Sequence, residues 1–228
     1  MKLSKITDYL DSFLSINYIP DSSLNGLQVE TDREITKIAL AVDATLDVFK
    51  QANEHGAELV IAHHGLFWDK VPLTGPLYRR VRYLMENGIG LYAVHLPLDM
   101  HEGVGNNVEL ARIIGLRNQR PFLRYKGSLI GLIGTIEATD IYEVAKLVEH
   151  STGSKAQVFP FRTGKITRVA VCSGDAGGDL EQAIEAGADL YLTGETSHEA
   201  VALAQDGEIG LIFGGHYATE TLGPKALG

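Results

Sequence analysis

The sequence predicts an α/β protein made of two pseudo-repeated βαβ halves, with a metal site at the carboxyl ends of its strands. Three observations carry that prediction. Short apolar runs alternate with helical patterns along the chain, the signature of parallel βαβ units. "ITKIALAVDATLDVFKQANEHGAELVIAHH" (35–64) aligns without a gap on "ITRVAVCSGDAGGDLEQAIEAGADLYLTGE" (166–195), at a constant offset of 131, more than shared composition usually gives. Histidines and carboxylates follow the apolar runs in both copies.

In chain order, the N-terminal stretch "MKLSKITDYLDSFLSI" places Leu3, Ile6, Leu10 and Phe13 on one face of an amphipathic helix. Asp8 and Asp11 interrupt the apolar run that a signal peptide needs. "KIALAV" (37–42), "LVIA" (59–62), "GLYAV" (90–94), "VAVC" (169–172), "LYLT" (190–193) and "GLIF" (210–213) have the length and composition of strands. Between them "ATLDVFKQANEHG", "LYRRVRYLMENG" and "DLEQAIEAG" have helical spacing and end in glycine, as helix C-termini often do. A further helix is expected across "DIYEVAKLVEH". No linker or low-complexity tract breaks the chain, so residues 1–228 read as one unit of two related lobes, about 1–120 and 121–228.

Composition bounds the function. The formal charge of −9 argues against duplex DNA and anionic membranes as partners, because both demand clustered Lys and Arg. One cysteine, Cys172, excludes an intramolecular disulfide; a buried, inert thiol in a reducing cytoplasm is expected. No window approaches the roughly 18 apolar residues of a membrane span.

Ligands of parallel α/β sheets bind in the loops at the carboxyl ends of the strands. His63, His64, His95, Asp99, Glu195, His198, His216 and Glu220 all stand just after expected strands, so they should converge. The two halves agree: His95 and Asp99 mirror His216 and Glu220, each pair a histidine and an acid four residues apart. On a helix that interval places both side chains on one face. Adjacent residues leaving a strand diverge, so His63 and His64 serve one ion each more easily than they share one. Imidazole with carboxylate suits zinc, iron, manganese or nickel, and a bridging carboxylate would hold two ions about 3.5–4 Å apart.

Blander readings stand beside these. A His-His pair alone is also explained by an N-cap and a partly buried ring. His55 and His150 read as surface residues, and His101 is intermediate. Trp68 and Phe67 read as packing or as wall of the site. Asp43, between strand and helix, reads as an N-cap, or else as a support behind a ligand. The glycine-rich "SGDAGG" (173–178) is either a tight turn or a cradle for phosphate.

"NGLQV" (25–29), "HHGLFW" (63–68), "HLPLD" (95–99), "GVGNN" (103–107), "TGE" with His198, and "GGHYATE" (214–220) together resemble the GTP cyclohydrolase I type 2 homologue family, the Nif-three-like proteins. The resemblance implies a dinuclear divalent-metal centre, with His63, His64, Asp99, His216 and Glu220 as ligands and Glu220 as the bridge. It also implies that His95 lies close to the metals, that Glu195 and His198 line the pocket, and that the protein is a toroidal homohexamer with its metal sites facing inward. The 115–165 segment is short, so this is the form without an inserted domain. The chain stops at "ETLGPKALG", where the resemblance implies a further helix and strand. Two functions follow as expectations: a metal-dependent hydrolase of a small, nucleotide-like substrate with Glu195 or His198 carrying protons, or a metal-loaded ring serving as scaffold, metal handler, or binder of protein or nucleic acid.

Overall fold

The computed structural model describes every residue of the chain except Thr196. It divides into two compact units, Met1–Leu98 with Leu227–Gly228, and Asp99–Ala226.

The first unit opens with α1 (Leu3–Phe13), followed by β1 (Gly26–Val29), β2 (Ile38–Asp43), α2 (Leu46–Glu54), β3 (Leu59–His64), α3 (Gly75–Asn87) and β4 (Gly90–Ala93). A one-turn helix, α4 (Leu96–Asp99), carries the chain onward. The sheet order is β1-β4-β3-β2, with β2, β3 and β4 parallel and β1 antiparallel on β4. Every residue of β4 is buried, which is why "GLYA" is continuously apolar rather than alternating. Val60, Ala62 and Leu91 pack under α2 and α3 through Phe49, Ala52, Val81 and Leu84. Leu3, Ile6 and Leu10 of α1 are buried as expected, but Phe13 is 37% exposed and stacks on Tyr9. Asp43 does not cap α2. Thr45 does, its hydroxyl accepting from the Val48 N–H at 3.2 Å.

The second unit contains α5 (Asn106–Ile113), β5 (Arg117–Tyr125), β6 (Ser128–Thr139), α6 (Ile141–Thr152), β7 (Gln157–Phe159), β8 (Ile166–Cys172), α7 (Leu180–Glu185), β9 (Leu190–Thr193), α8 (His198–Asp206), β10 (Gly210–Phe213), α9 (His216–Glu220) and α10 (Leu222–Leu227). Its six-stranded sheet runs β5-β6-β8-β9-β10-β7, with β8, β9 and β10 parallel. Alternate strand residues feed two cores: Val169, Val171, Leu190 and Leu192 face α5 and α6, while Ala170, Cys172, Tyr191 and Leu211 face α7 and α8. The division falls at 98/99 rather than near 120, because α5 and the β5–β6 hairpin build on the second sheet: β6 pairs with β8, and Leu110 and Ala111 enter the same core. β5 is not among the elements expected from sequence. β5 is an edge strand carrying Pro121 and three arginines, devices that blunt an exposed edge and also hide its pattern.

The duplication extends to hydrogen-bond register. Ile38 pairs with Leu59, and Val169, 131 residues after Ile38, pairs with Leu190, 131 residues after Leu59. At the amino ends of these strands the Glu58 carboxylate accepts from the N–H groups of Thr36 and Lys37 at 2.9 and 2.8 Å. Asp189 accepts from those of Thr167 and Arg168, both at 2.9 Å. This acid clamp is the physical content of the repeated "IT" and "GAEL/GADL" signals. None of the helices among the described residues is long and apolar enough to cross a membrane.

Candidate functional site

In the first unit the continuous apolar run of β3 delivers His63 and His64 at its carboxyl end, His63 buried and His64 half-buried. The His63 Nδ1–H donates to the Val94 carbonyl at 3.0 Å. The His64 Nδ1–H donates to Asp43 Oδ1 at 2.9 Å, a bond that the parallel pairing of Asp43 with His64 sets up. The His95 Nδ1–H donates to Asp21, 3.0 and 3.1 Å from its two oxygens. Because carbonyls and carboxylates only accept, each ring carries a proton on Nδ1, and in its neutral form the lone pair is on Nε2. One ring nitrogen of each of the three histidines lies within 4.8 Å of one on each of the others. Metal-ligating histidines are held by this same second hydrogen bond, which fixes ring orientation and raises basicity.

The surrounding residues explain the sequence motifs. Asn25 Oδ1 accepts from the His95 backbone N–H at 2.8 Å, and Gln28 Oε1 accepts from Leu66 N–H at 2.7 Å, so "NGLQV" braces both histidine loops. Gly65 is needed because a Cβ there would lie 2.4 Å from Gln28 Nε2 and 2.5 Å from the Ala93 Cβ. Trp68 packs edge-on against the His95 ring at 4.9 Å and donates from Nε1 to the Gly65 carbonyl at 3.1 Å, so it forms wall. Burial works to raise the Asp21 pKa, but hydrogen bonds from His95, Asn25 and the Ser23 N–H outweigh it and hold the carboxyl at about 2.

In the second unit Asp99 is buried, and its Oδ1 accepts from Asn106 Nδ2 at 2.9 Å and Ser173 Oγ at 3.1 Å. Asn107 accepts from the Ser173 N–H at 2.7 Å, and Asn106 accepts from the Gly223 N–H at 2.6 Å. "GVGNN" thus fastens Asp99 to the end of β8 and the start of α10. His216 and Glu220 share one face of α9, with His216 Nε2 3.1 Å from Glu220 Oε2. The Glu195 carboxylate accepts from His216 Nδ1. The hydrogen bond to Glu220 does most to raise the His216 pKa, burial opposes it, and Glu195 adds to it, for a value of about 9. Two carboxylates therefore hold a cationic proton on this ring, the field that a metal ion seeks.

Gly174, at position 43 of the second copy, has φ +66°, and a Cβ there would lie 2.2 Å from Glu220 Oε1. The first "SGDAGG" N–H groups are already engaged, Ser173 by Asn107 and Gly174 by Thr219 Oγ1 at 3.1 Å. This loop encloses Glu220. Glu195 is half-exposed, and His198 opens α8 at the surface behind its cap Ser197. His101 has the opposite polarity to the other rings: its Nδ1 accepts from the N–H groups of Gly103 and Val104, both at 3.1 Å. Cys172 is buried, which pushes its thiol pKa up.

Asp21, Asn106, Asn107, Ser173, Thr219 and Gly174 hold the expected residues in place without having been singled out. The two asparagines were visible in the "GVGNN" motif; Asp21 left no sequence signal.

Comparison with known proteins places these features in a wider group. The family profile described as Duf34/NIF3 (NGG1p interacting factor 3) matches residues 1–228. A protein of Archaeoglobus fulgidus named "GTP cyclohydrolase 1 type 2 homolog" is 41% identical, over 100% of this chain and 91% of its own. One of the same name from Pyrococcus horikoshii is 43% identical, over 100% and 92%. Among solved structures, TTHA1606 from Thermus thermophilus superposes with a TM-score of 0.91 at 38% identity, covering 100% of this chain and 91% of that one.

Proposed function

The chain belongs to the Duf34/NIF3 family, and from that premise we propose that it is a dinuclear divalent-metal protein acting as a hydrolase on a small, nucleotide-like substrate. The observation that carries this reading is the common anchoring of the histidines. His63, His64 and His95 each donate Nδ1–H to an oxygen acceptor, an arrangement that prepares Nε2 for a cation, and Glu195 takes the same bond from His216 Nδ1.

In this reading His63, His64, Asp99, His216 and Glu220 are the ligands, with Glu220 as the bridge. The donor chemistry fits: imidazole nitrogens with carboxylates suit zinc, iron, manganese or nickel, whereas calcium and magnesium select all-oxygen sets. Once bound, such ions supply Lewis acidity toward a substrate oxygen and toward water. The protein's own groups supply the rest. Asp43 and Glu195 keep two of the rings oriented, Asn106 and Ser173 fix Asp99, and Trp68 walls off the first unit's histidines. Glu195, half-exposed with one oxygen on His216, and His198 at the start of α8 are the groups assigned to proton transfer.

The test is metal analysis of protein purified without added metal, followed by a hydrolysis screen of nucleotides and pterin-like compounds against matched metal-free protein. Two divalent ions per chain and metal-dependent turnover are expected. Metal retention without turnover on any of them would favour the scaffold reading, and absence of retained metal would sink both.

A further inference from the structure

Asp21 lies outside the duplicated frame, on the loop before β1, and is among the most completely satisfied carboxylates of the first unit. Its Oδ1 accepts from the Ser23 N–H at 3.1 Å and from His95 Nδ1 at 3.0 Å. Its Oδ2 accepts from Asn25 Nδ2 and the Leu96 N–H, both at 3.0 Å, and from His95 Nδ1 at 3.1 Å. The side chain is 3% exposed. Every group facing it is a donor, so only an ionised carboxylate satisfies the site.

We infer that Asp21 is a positioning residue: it locks His95 as the Nδ1–H tautomer and thereby commits His95 Nε2, on a ring packed 5.2 and 5.6 Å from those of His63 and His64, to a cation. The inference rests on the metal reading above for the identity of that cation, but the lock is a property of the chain alone. Asp21 does for His95 what Asp43 does for His64 and Glu195 for His216, from a position with no counterpart in the other half.

The Asp21→Asn variant is diagnostic because an amide must turn its NH2 toward one set of donors. The Ser23 and Leu96 N–H groups cannot become acceptors, and the Asn25 amide is held by the His95 backbone N–H. The His95 ring can become one. It does so by moving its proton to Nε2, which blocks the nitrogen that a cation would take.

The experiment is two-bond 1H–15N correlation on metal-free, histidine-labelled protein, with His95 assigned through His95→Gln, followed by cobalt titration of wild type and Asp21→Asn. The expected result is Nδ1–H at His95 in wild type, a shift toward Nε2–H in the variant, and cobalt affinity lower by about 10–100-fold. A purely structural Asp21 would lower the melting temperature of the variant and leave the tautomer where it was, which would overturn the inference. Nε2–H at His95 in wild type would overturn it even if the variant failed to fold. Failure of wild type to take up cobalt would instead overturn the metal reading, since the tautomer is read without metal.

Discussion

Gly174 and Glu220 are packed so closely that a single added methyl on the glycine would occupy the place of the carboxylate, 2.2 Å from Oε1. In the first half the equivalent position is Asp43, whose side chain holds His64. One frame position thus supplies a carboxylate in one copy and the space for a carboxylate in the other.

Gly174→Ala is therefore expected to displace Glu220 and strain a left-handed residue, at a cost of about 1–2 kcal/mol from the backbone alone. Metal content per chain should fall together with the melting temperature. Unchanged metal content in a folded variant would show that the site does not need Glu220 in its present place.

His63→Ala, His64→Ala and Glu220→Ala test the proposed ligand assignment. Each histidine variant should lose mainly one ion, whereas Glu220→Ala should weaken both, because it removes the carboxylate that offsets their mutual repulsion. Anomalous diffraction of the metal-loaded variants reads this directly: both histidine variants emptying the same peak would refute the assignment of one ion to each.

Glu58 contributes to acid stability. Hydrogen bonds from the Thr36 N–H first, then from Lys37, lower its pKa from the usual 4.5 to about 2 against the cost of burial. A depressed carboxyl contributes stability that is fully present above its unfolded value and lost as pH falls through the folded one, here the window from about 4.5 to about 2. Glu58→Gln should lower stability at neutral pH by about 1–3 kcal/mol and flatten the slope across that window in urea titrations. An unaltered slope would exclude the clamp as its source.

Assembly is expected to be homo-oligomeric, most simply hexameric. The stacked Tyr9–Phe13 pair is exposed, and so are Ile38 and Leu40 on β2, the strand that ends the first sheet, so apolar surface and an open edge both call for cover. Sedimentation at micromolar concentration checks this, and a monomer alone would count against it.

The two βαβ cores were legible because buried parallel strands are unbroken apolar runs, and because the offset of 131 repeats both register and clamp. The histidines were legible because they end those runs. β5 was not, since arginines and a proline erase the alternation of an edge strand. Asp43 looked like an N-cap because an aspartate between strand and helix has the same local sequence in either role; only the pairing across to His64 decides it. Asp21 was invisible for a different reason: its partner His95 is 74 residues away, and nothing local marks that distance.

The acid clamp sits at the amino ends of the strands, and the metal-type donors sit at their carboxyl ends. Robustness and chemistry are thereby kept at opposite poles of each sheet, where mutation can reach one without the other. The clamp has already changed by one methylene between Glu58 and Asp189 with its backbone bonds intact. Heat or acid tolerance can thus be adjusted at one pole through Glu58 or Asp189 without touching the histidines and carboxylates at the other.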